Sequence, residues 1–318
     1  MATRQRISLT LKDKSLLYGF AWTTDLEKIN GNIIIVTGME ETAIRYDDFA
    51  KFLVSNGYNV YCIDHFGQGE NVKEDLSNLG VWPASGFRKM VVAVDDLVAK
   101  LRVSCVPIYI FAHSMGSFMM QDYVQRYAKH VSKVVLCGTG SKNPLAKVAY
   151  TLSRMTTNKK NRNKKAPIMA KLMFGSFNKK IKPARTEFDW LSVNEANVDK
   201  YIADPKCGFG PNKGFCLEFF KGMSRLWQHK FLKKVNKHIK IMLIAGEGDP
   251  VTNYGKSPAI MQKMYHHYGV EDVRTKVYPN CRHEILNEAD EVRLQAYNDV
   301  LAFFNDDNDA ETTNKNAY

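Results

Sequence analysis

A chain of 318 residues, 45% of them hydrophobic, can bury a sizeable core without disulfide staples. Its six cysteines include no C-x-x-C pair and none of the paired spacings of a zinc site, so a structural metal is not supported. A net charge of +12 and a pI near 9.3 suit an anionic partner only where the charge is clustered, and no apolar run reaches membrane-spanning length. The basic N-terminus lacks the apolar core of a signal peptide, and the scattered cysteines read as buried reduced thiols; a cytoplasmic protein is expected.

Ile7 to Leu11 and Leu16 to Trp22 read as a hairpin at a sheet edge, turning at Lys12-Asp-Lys-Ser15. Ile33 to Val36 is a continuous apolar run, the mark of a strand covered on both faces, and it enters Thr37-Gly-Met-Glu-Glu-Thr42. A helix follows from about Arg45, with Tyr46, Phe49, Ala50 and Leu53 on one face and Gly57 closing it. Tyr58 to Ile63 is the next strand, and Asp64-His-Phe-Gly-Gln-Gly69 is a turn-rich loop. Phe87, Met90, Val91, Val94, Val98 and Leu101 mark another helix.

In Val106 to Ser117 a strand pattern stops at Ser114 and a helical pattern starts at once. Ala112-His-Ser-Met-Gly116 fits G-x-S-x-G with Ala in place of the first Gly, a nucleophile elbow whose neighbours must be small so that strand and helix pass closely. An ordinary turn whose serine caps the helix is the bland alternative. Lys133 to Cys137 is a strand, and after an irregular section the alternation resumes with Lys240 to Ala245, a helix near Ser257 to Tyr268, the strand Thr275 to Tyr278 and a closing helix from Ala289 to Phe303. The fold class is therefore α/β: a mostly parallel central sheet with helices on both faces, whose ligands gather at the carboxyl ends of the strands.

Residues 1–139 and 230–305 form the expected core, 306–318 an expected disordered tail, and 140–229 an inserted helical lid over the elbow. Eleven Lys and Arg residues lie between Arg154 and Arg185 with no acidic residue among them. Such runs are usually a solvated face. Ile168, Met169, Leu172, Met173 and Phe177 suggest short helices with one apolar face, suited to lining an acyl pocket.

A serine hydroxyl needs an imidazole to take its proton and a carboxylate to orient the imidazole. His283 lies in a turn after a strand and before the closing helix; Asp249 follows an apolar strand between Gly248 and Pro250, and is preferred to Glu247, which sits nearer the strand end. The order Ser114, Asp249, His283 is the one an α/β-hydrolase requires. The oxyanion donors are expected to be the backbone N–H groups of Met115, at a helix N-terminus, and Met39, after the turn that Gly38 permits. His65 is a candidate for the pocket rim and His113 for packing or support beside the serine; both, with Gly38, are counted among the substrate-pocket residues. No cofactor and no metal are implied.

These motifs resemble the α/β-hydrolases of the monoacylglycerol lipase and lysophospholipase group, the serine aminopeptidase-like family. The likeness rests on Thr37 to Tyr46, Asp64 to Gly69, Ala112 to Gly116, Gly246 to Asp249 and Arg282-His283. Gly38, Glu40, Arg45 and Tyr46 match the family's oxyanion loop, whereas Thr37 replaces its first His and Glu41-Thr42 its second; in the family's separate D-x-x-G-x-G-x-S motif, which starts here at Asp64, Asn71 stands where Ser is usual. Asp189-Trp-Leu-Ser192 and Tyr201 to Phe209 are similar to the bacterial lysophospholipase-like branch. The resemblance implies a serine ester hydrolase acting on monoacyl esters. Amide or peptide cleavage on the same triad, and a lipid-surface-binding protein with a vestigial triad, are the rivals. The expected partners are a small acyl ester and, through the basic segment, an anionic membrane surface; aromatics are too sparse there for nucleic acid.

Overall fold

The computed structural model describes residues 3–27 and 29–306. The described chain runs β1 (Thr3–Thr10), β2 (Leu16–Thr23), β3 (Gly31–Val36), α1 (Asp47–Ser55), β4 (Tyr58–Ile63), α2 (Gly86–Leu101), β5 (Ile108–His113) and α3 (Met115–Val124). Then come β6 (Lys133–Cys137), the helices α4 (Leu145–Thr156), α5 (Pro167–Phe174), α6 (Glu195–Ala203), α7 (Lys213–Leu226) and α8 (His229–Leu232), and finally β7 (Lys240–Gly246), α9 (Ser257–His267), β8 (Val273–Tyr278) and α10 (Asp290–Asn305). The eight strands form one sheet in the order β1-β2-β4-β3-β5-β6-β7-β8, in which β1, β2 and β4 pair antiparallel and the pairs from β4 to β8 are parallel.

Side chains alternate across a strand, and here both faces are covered, which is why the central strands read as unbroken apolar runs. Ile33, Ile35, Phe111, Val135 and Ile244 pack with α1 and α10 on one face. Ile34, Val36, Ile110, Val134, Leu136 and Leu243 pack with α2, α3 and α7 on the other. β5 begins two residues later than the apolar run, because Pro107 has no N–H to give a ladder; its carbonyl instead accepts from Asn32 N–H at 2.9 Å. Asn71 ties the edge hairpin down: its Oδ1 accepts from Tyr18 N–H at 2.8 Å and its Nδ2 donates to the Asp64 carbonyl at 2.7 Å.

Five α-helices lie between β6 and β7; α7 joins the main core, while Trp190, Leu191, Tyr201 and Cys207 form a small buried cluster of the segment's own, with Phe174, Phe177 and Phe188 packed against it. Phe215, Phe219 and Met223 of α7 join the cluster built on α2 and α3. The apolar residues of α5 do not make a single buried face. Met169 and Met173 pack inward, but Ile168 and Leu172 are 81% and 62% exposed. At the C-terminus Asn305 accepts from Tyr58 Oη at 2.7 Å and Asp306 pairs with Arg274, so the fixed chain runs one residue further than expected; the rest of the expected tail, 307–318, lies outside the described residues.

Phe111 sits at the centre of this arrangement, fully buried on β5 with its ring 5.1 Å from that of Phe49. Phe111→Ala is expected to cost about 3–5 kcal/mol. Val103→Ala, at a position 84% exposed, is expected to change stability by less than about 0.5 kcal/mol. Urea midpoints of the two variants check the contrast.

Candidate active site

The elbow is built by confinement on both sides. β5 is paired to β3 and β6, and Ser114 N–H donates to the Cys137 carbonyl at 2.9 Å as the strand ends. At Ser114 the backbone takes φ 49° and ψ −118°, a region that L-residues rarely occupy, and α3 begins with the next residue. Gly116 makes this turn feasible: a Cβ there would lie 2.3 Å from the Val36 carbonyl oxygen. Ala112, where the motif has its first glycine, is fully buried in the strand.

Asp249 lies three residues past β7 and is fully buried. Its Oδ1 accepts from Val251 N–H at 2.8 Å, leaving Oδ2 to meet His283 Nδ1 at 2.9 Å. Glu247 points elsewhere, an exposed side chain bonded to Asn280 N–H at 3.4 Å. His283 is 1% exposed, with the Trp190 ring 5.1 Å away, and its Nε2 has no hydrogen-bond partner among the described residues. Gly138, at φ 62°, leaves room for that ring, since a Cβ there would come within 2.8 Å of His283 Cε1.

Ser114 and His283 line one cavity of about 720 Å³, together with Gly38, Met39 and Met115. Met115 is the first residue of α3, where backbone N–H groups have no intrahelical partner. The loop carrying Gly38 and Met39 is clamped by Gln68, whose Nε2 donates to the carbonyls of Gly38 and Glu41 at 3.1 and 3.2 Å while its Oε1 accepts from Glu40 N–H at 3.2 Å.

His65 does not line this cavity, which corrects its expected place at the rim. It ends up beneath the loop, buried against Trp82, with Nε2 bonded to the Thr37 carbonyl at 2.9 Å. Burial lowers its pKa, so the neutral ring donates Nε2–H to that carbonyl. This contact braces the loop at the position where Thr37 stands.

His113 does reach the cavity wall, with both nitrogens engaged. Nδ1 meets Glu41 Oε1 at 3.1 Å and Nε2 meets the His283 carbonyl at 3.3 Å. Both partners are acceptors, so only the doubly protonated ring satisfies both. Burial alone would lower the pKa of His113, but the charge and hydrogen bond of Glu41 outweigh it and hold the ring above its ordinary value. Burial likewise raises Glu41, yet His113, Arg45 and the Gly38 amide outweigh it and hold the carboxyl below the ordinary range. Glu41 also accepts from Tyr46 Oη at 2.9 Å.

A second buried ion pair joins three parts of the chain. Arg45 Nη2 donates to Glu284 at 2.5 Å and to Asn197 Oδ1 at 3.1 Å, and Asn197 Nδ2 donates to Glu284 at 2.7 Å. Sequence reasoning singled out Arg45 and Tyr46 but missed Glu41, Gln68, Asn197 and Glu284 as supports. The signal available was the spacing of Glu41 and Arg45, which places opposite charges one turn apart.

The description "Serine aminopeptidase, S33" belongs to the family model that matches residues 27–290. The chain is 24% identical over 273 residues to a monoacylglycerol lipase of Mycolicibacterium smegmatis, covering 85% of this chain and 86% of that one. It is 24% identical over 290 residues to a probable lysophospholipase L2 of Haemophilus influenzae, covering 86% and 83%. Among solved structures it is similar to a thermostable carboxyl esterase from Bacillus coagulans in complex with glycerol, with a TM-score of 0.87, 25% identity and coverage of 96% and 99%.

The two pKa directions fix the sign of a pH dependence. Glu41 adds stability above the ordinary value of about 4.3, lost as pH falls through its depressed value; His113 adds stability below about 6.5, lost as pH rises through its raised value. Glu41→Gln is expected to lower the urea midpoint most between about pH 4.3 and 6.5. An unchanged profile overturns the buried ion pair.

Proposed function

The chain belongs to the serine aminopeptidase S33 family of α/β-hydrolases, enzymes here related to lipases and esterases acting on ester bonds, and from that premise we propose that it cleaves monoacyl esters through an acyl-enzyme on Ser114. The observation that carries this reading is the buried His283–Asp249 pair at 2.9 Å, with His283 Nε2 left without a partner in a cavity that Ser114 shares.

In this mechanism His283 Nε2 takes the proton of Ser114 Oγ as the oxygen attacks the ester carbonyl carbon. Asp249 holds the ring through Nδ1–H and stabilises the imidazolium. The N–H groups of Met39 and Met115 receive the oxyanion, and the proton on His283 passes to the leaving alcohol as the C–O bond breaks. Water then repeats the sequence on the acyl-enzyme and releases the acid. The acyl chain is assigned to the apolar stretch of wall formed by Phe118, Ala149 and Phe219. Six free cysteines support a reducing, cytoplasmic setting. Ser114→Ala is expected to leave the melting temperature unchanged and to lower ester turnover by about 10⁴-fold or more. Retained turnover sinks the assignment, and matched nitrophenyl ester and anilide substrates separate ester from amide cleavage.

The segment between β6 and β7 is assigned the role of a lid that meets an anionic lipid surface. α4 supports it by being inside out: Ala146, Ala149 and Ser153 are buried, while Leu145, Val148, Leu152 and Met155 are 67, 54, 44 and 79% exposed. No Asp or Glu occurs between Ser141 and Thr186, so the apolar stripe is surrounded by lysine and arginine. Leu145 and Leu172 are exposed and also line the cavity, which puts its mouth on this face. No helix among the described residues is long and apolar enough to cross a membrane. The protein is expected to float with vesicles containing phosphatidylserine at low salt and to be released by raised salt or by the pair Leu152→Glu, Met155→Glu. Equal flotation with purely zwitterionic vesicles, or none with either, rejects the surface.

A further inference from the structure

Glu288 is a buried carboxyl that the mechanism above does not use, lying between the His283 turn and α10. Its two oxygens are taken by parts of the chain far apart in sequence. Oε1 accepts from Arg282 N–H at 2.7 Å, one residue before the imidazole. Oε2 accepts from Ser192 Oγ at 2.5 Å and from the N–H groups of Val193 and Asn194 at 2.9 and 3.3 Å, in the segment between β6 and β7. Burial raises the pKa of the carboxyl, and these four hydrogen bonds oppose the rise. A carboxylate buried among neutral donors depends on every one of them.

The two stretches that Glu288 joins run side by side past the imidazole. Glu284 N–H donates to the Leu191 carbonyl at 2.7 Å and His283 N–H to the Trp190 carbonyl at 3.4 Å. The Arg282 guanidinium donates to the carbonyls of Asp189 and Ser192 at 2.7 and 2.9 Å. In this register the Trp190 ring lies 5.1 Å from that of His283. Trp190 belongs to the small buried cluster with Leu191, Tyr201 and Cys207, and Val251, two residues past Asp249, packs against that cluster. From the sheet side the imidazole turn is held by Asp249 at Nδ1 and by His113 at its carbonyl. Its backbone N–H side is held by the inserted segment instead.

We propose that Glu288 is a positioning residue for His283, clamping residues 192–194 to the Arg282 amide so that the inserted segment, together with the sheet, fixes where the imidazole stands. What that imidazole does rests on the ester-hydrolase reading above. The chemistry is sensitive to such support, since a reacting group misplaced by about 1 Å through a change away from the reacting atoms can lose about a hundredfold in rate.

Glu288→Gln keeps the size of the side chain but leaves one acceptor oxygen where two are used, so one of the joined stretches loses its hold. Two measurements test it. One is hydrolysis of 4-nitrophenyl acetate, whose short acyl group needs none of the apolar wall. The other is the far-downfield proton resonance of the His283 Nδ1–H bonded to Asp249, identified by its loss in His283→Ala. Glu288→Gln is expected to lower kcat by about tenfold with KM within about twofold of wild type, and to shift or broaden the resonance well below the melting temperature. Ser192→Ala, which removes a single donor, is expected to act in the same direction by about threefold and serves where Glu288→Gln does not fold. If either kcat or the resonance is unchanged in the folded variants, or if both recover on cooling, Glu288 supports the fold alone and the inference is overturned. If wild type turns over no ester, the ester-hydrolase reading fails, and the resonance by itself decides whether Glu288 positions the imidazole.

Discussion

The confined backbone at Ser114 is the constraint from which the site follows. A residue held at φ 49° and ψ −118° costs about 1–3 kcal/mol and persists only where its surroundings leave no alternative. Here the surroundings are a strand paired on both sides and a helix whose first turn touches the end of β3 at Gly116. Because β3, β5 and β7 lie in one sheet, the turns leaving their carboxyl ends converge. Ser114, the loop carrying Gly38 and Met39, and Asp249 are thus placed by the pairing of strands.

Around that frame the supports are electrostatic and buried. Glu41 answers three donors at once, the Gly38 amide, Tyr46 and His113, and His113 answers in turn to the carbonyl of His283. The loop of residues 38–41 and the segment bearing His283 are therefore tied to each other through one charged pair. Arg45 and Glu284 extend the tie to α6 through Asn197. Removing one member of such a buried set leaves an uncompensated charge, which costs far more than the pair contributes on balance.

Much of this was legible in the sequence, for reasons that are local. Ile33 to Val36 and Lys133 to Cys137 are unbroken apolar runs because both faces are covered, and Ser114 announces itself where strand periodicity turns helical in one residue. Asp249 was separable from Glu247 because a side chain close to a strand end cannot reach across. What escaped depended on contacts between residues far apart in the chain. Asn197 and Glu284 meet only once the sheet has closed, and nothing near His65 says that its ring turns under the loop rather than toward the cavity. α5 misled for a related reason: Ile168, Met169, Leu172 and Met173 make one apolar group by spacing, but which of them face inward depends on how the helix is docked.

The placement of five helices between β6 and β7 has a consequence in polymer terms. These two strands are hydrogen-bonded neighbours, so folding must close a loop of roughly a hundred residues to pair them. Closure entropy grows only with the logarithm of length, about 0.6 kcal/mol for each doubling, so a loop several times longer than an ordinary crossover burdens the sheet by only about 1–2 kcal/mol. Chain length at this point thus costs the fold little in entropy, and what binds the segment to the sheet is packing, through Phe215, Phe219 and Met223 of α7.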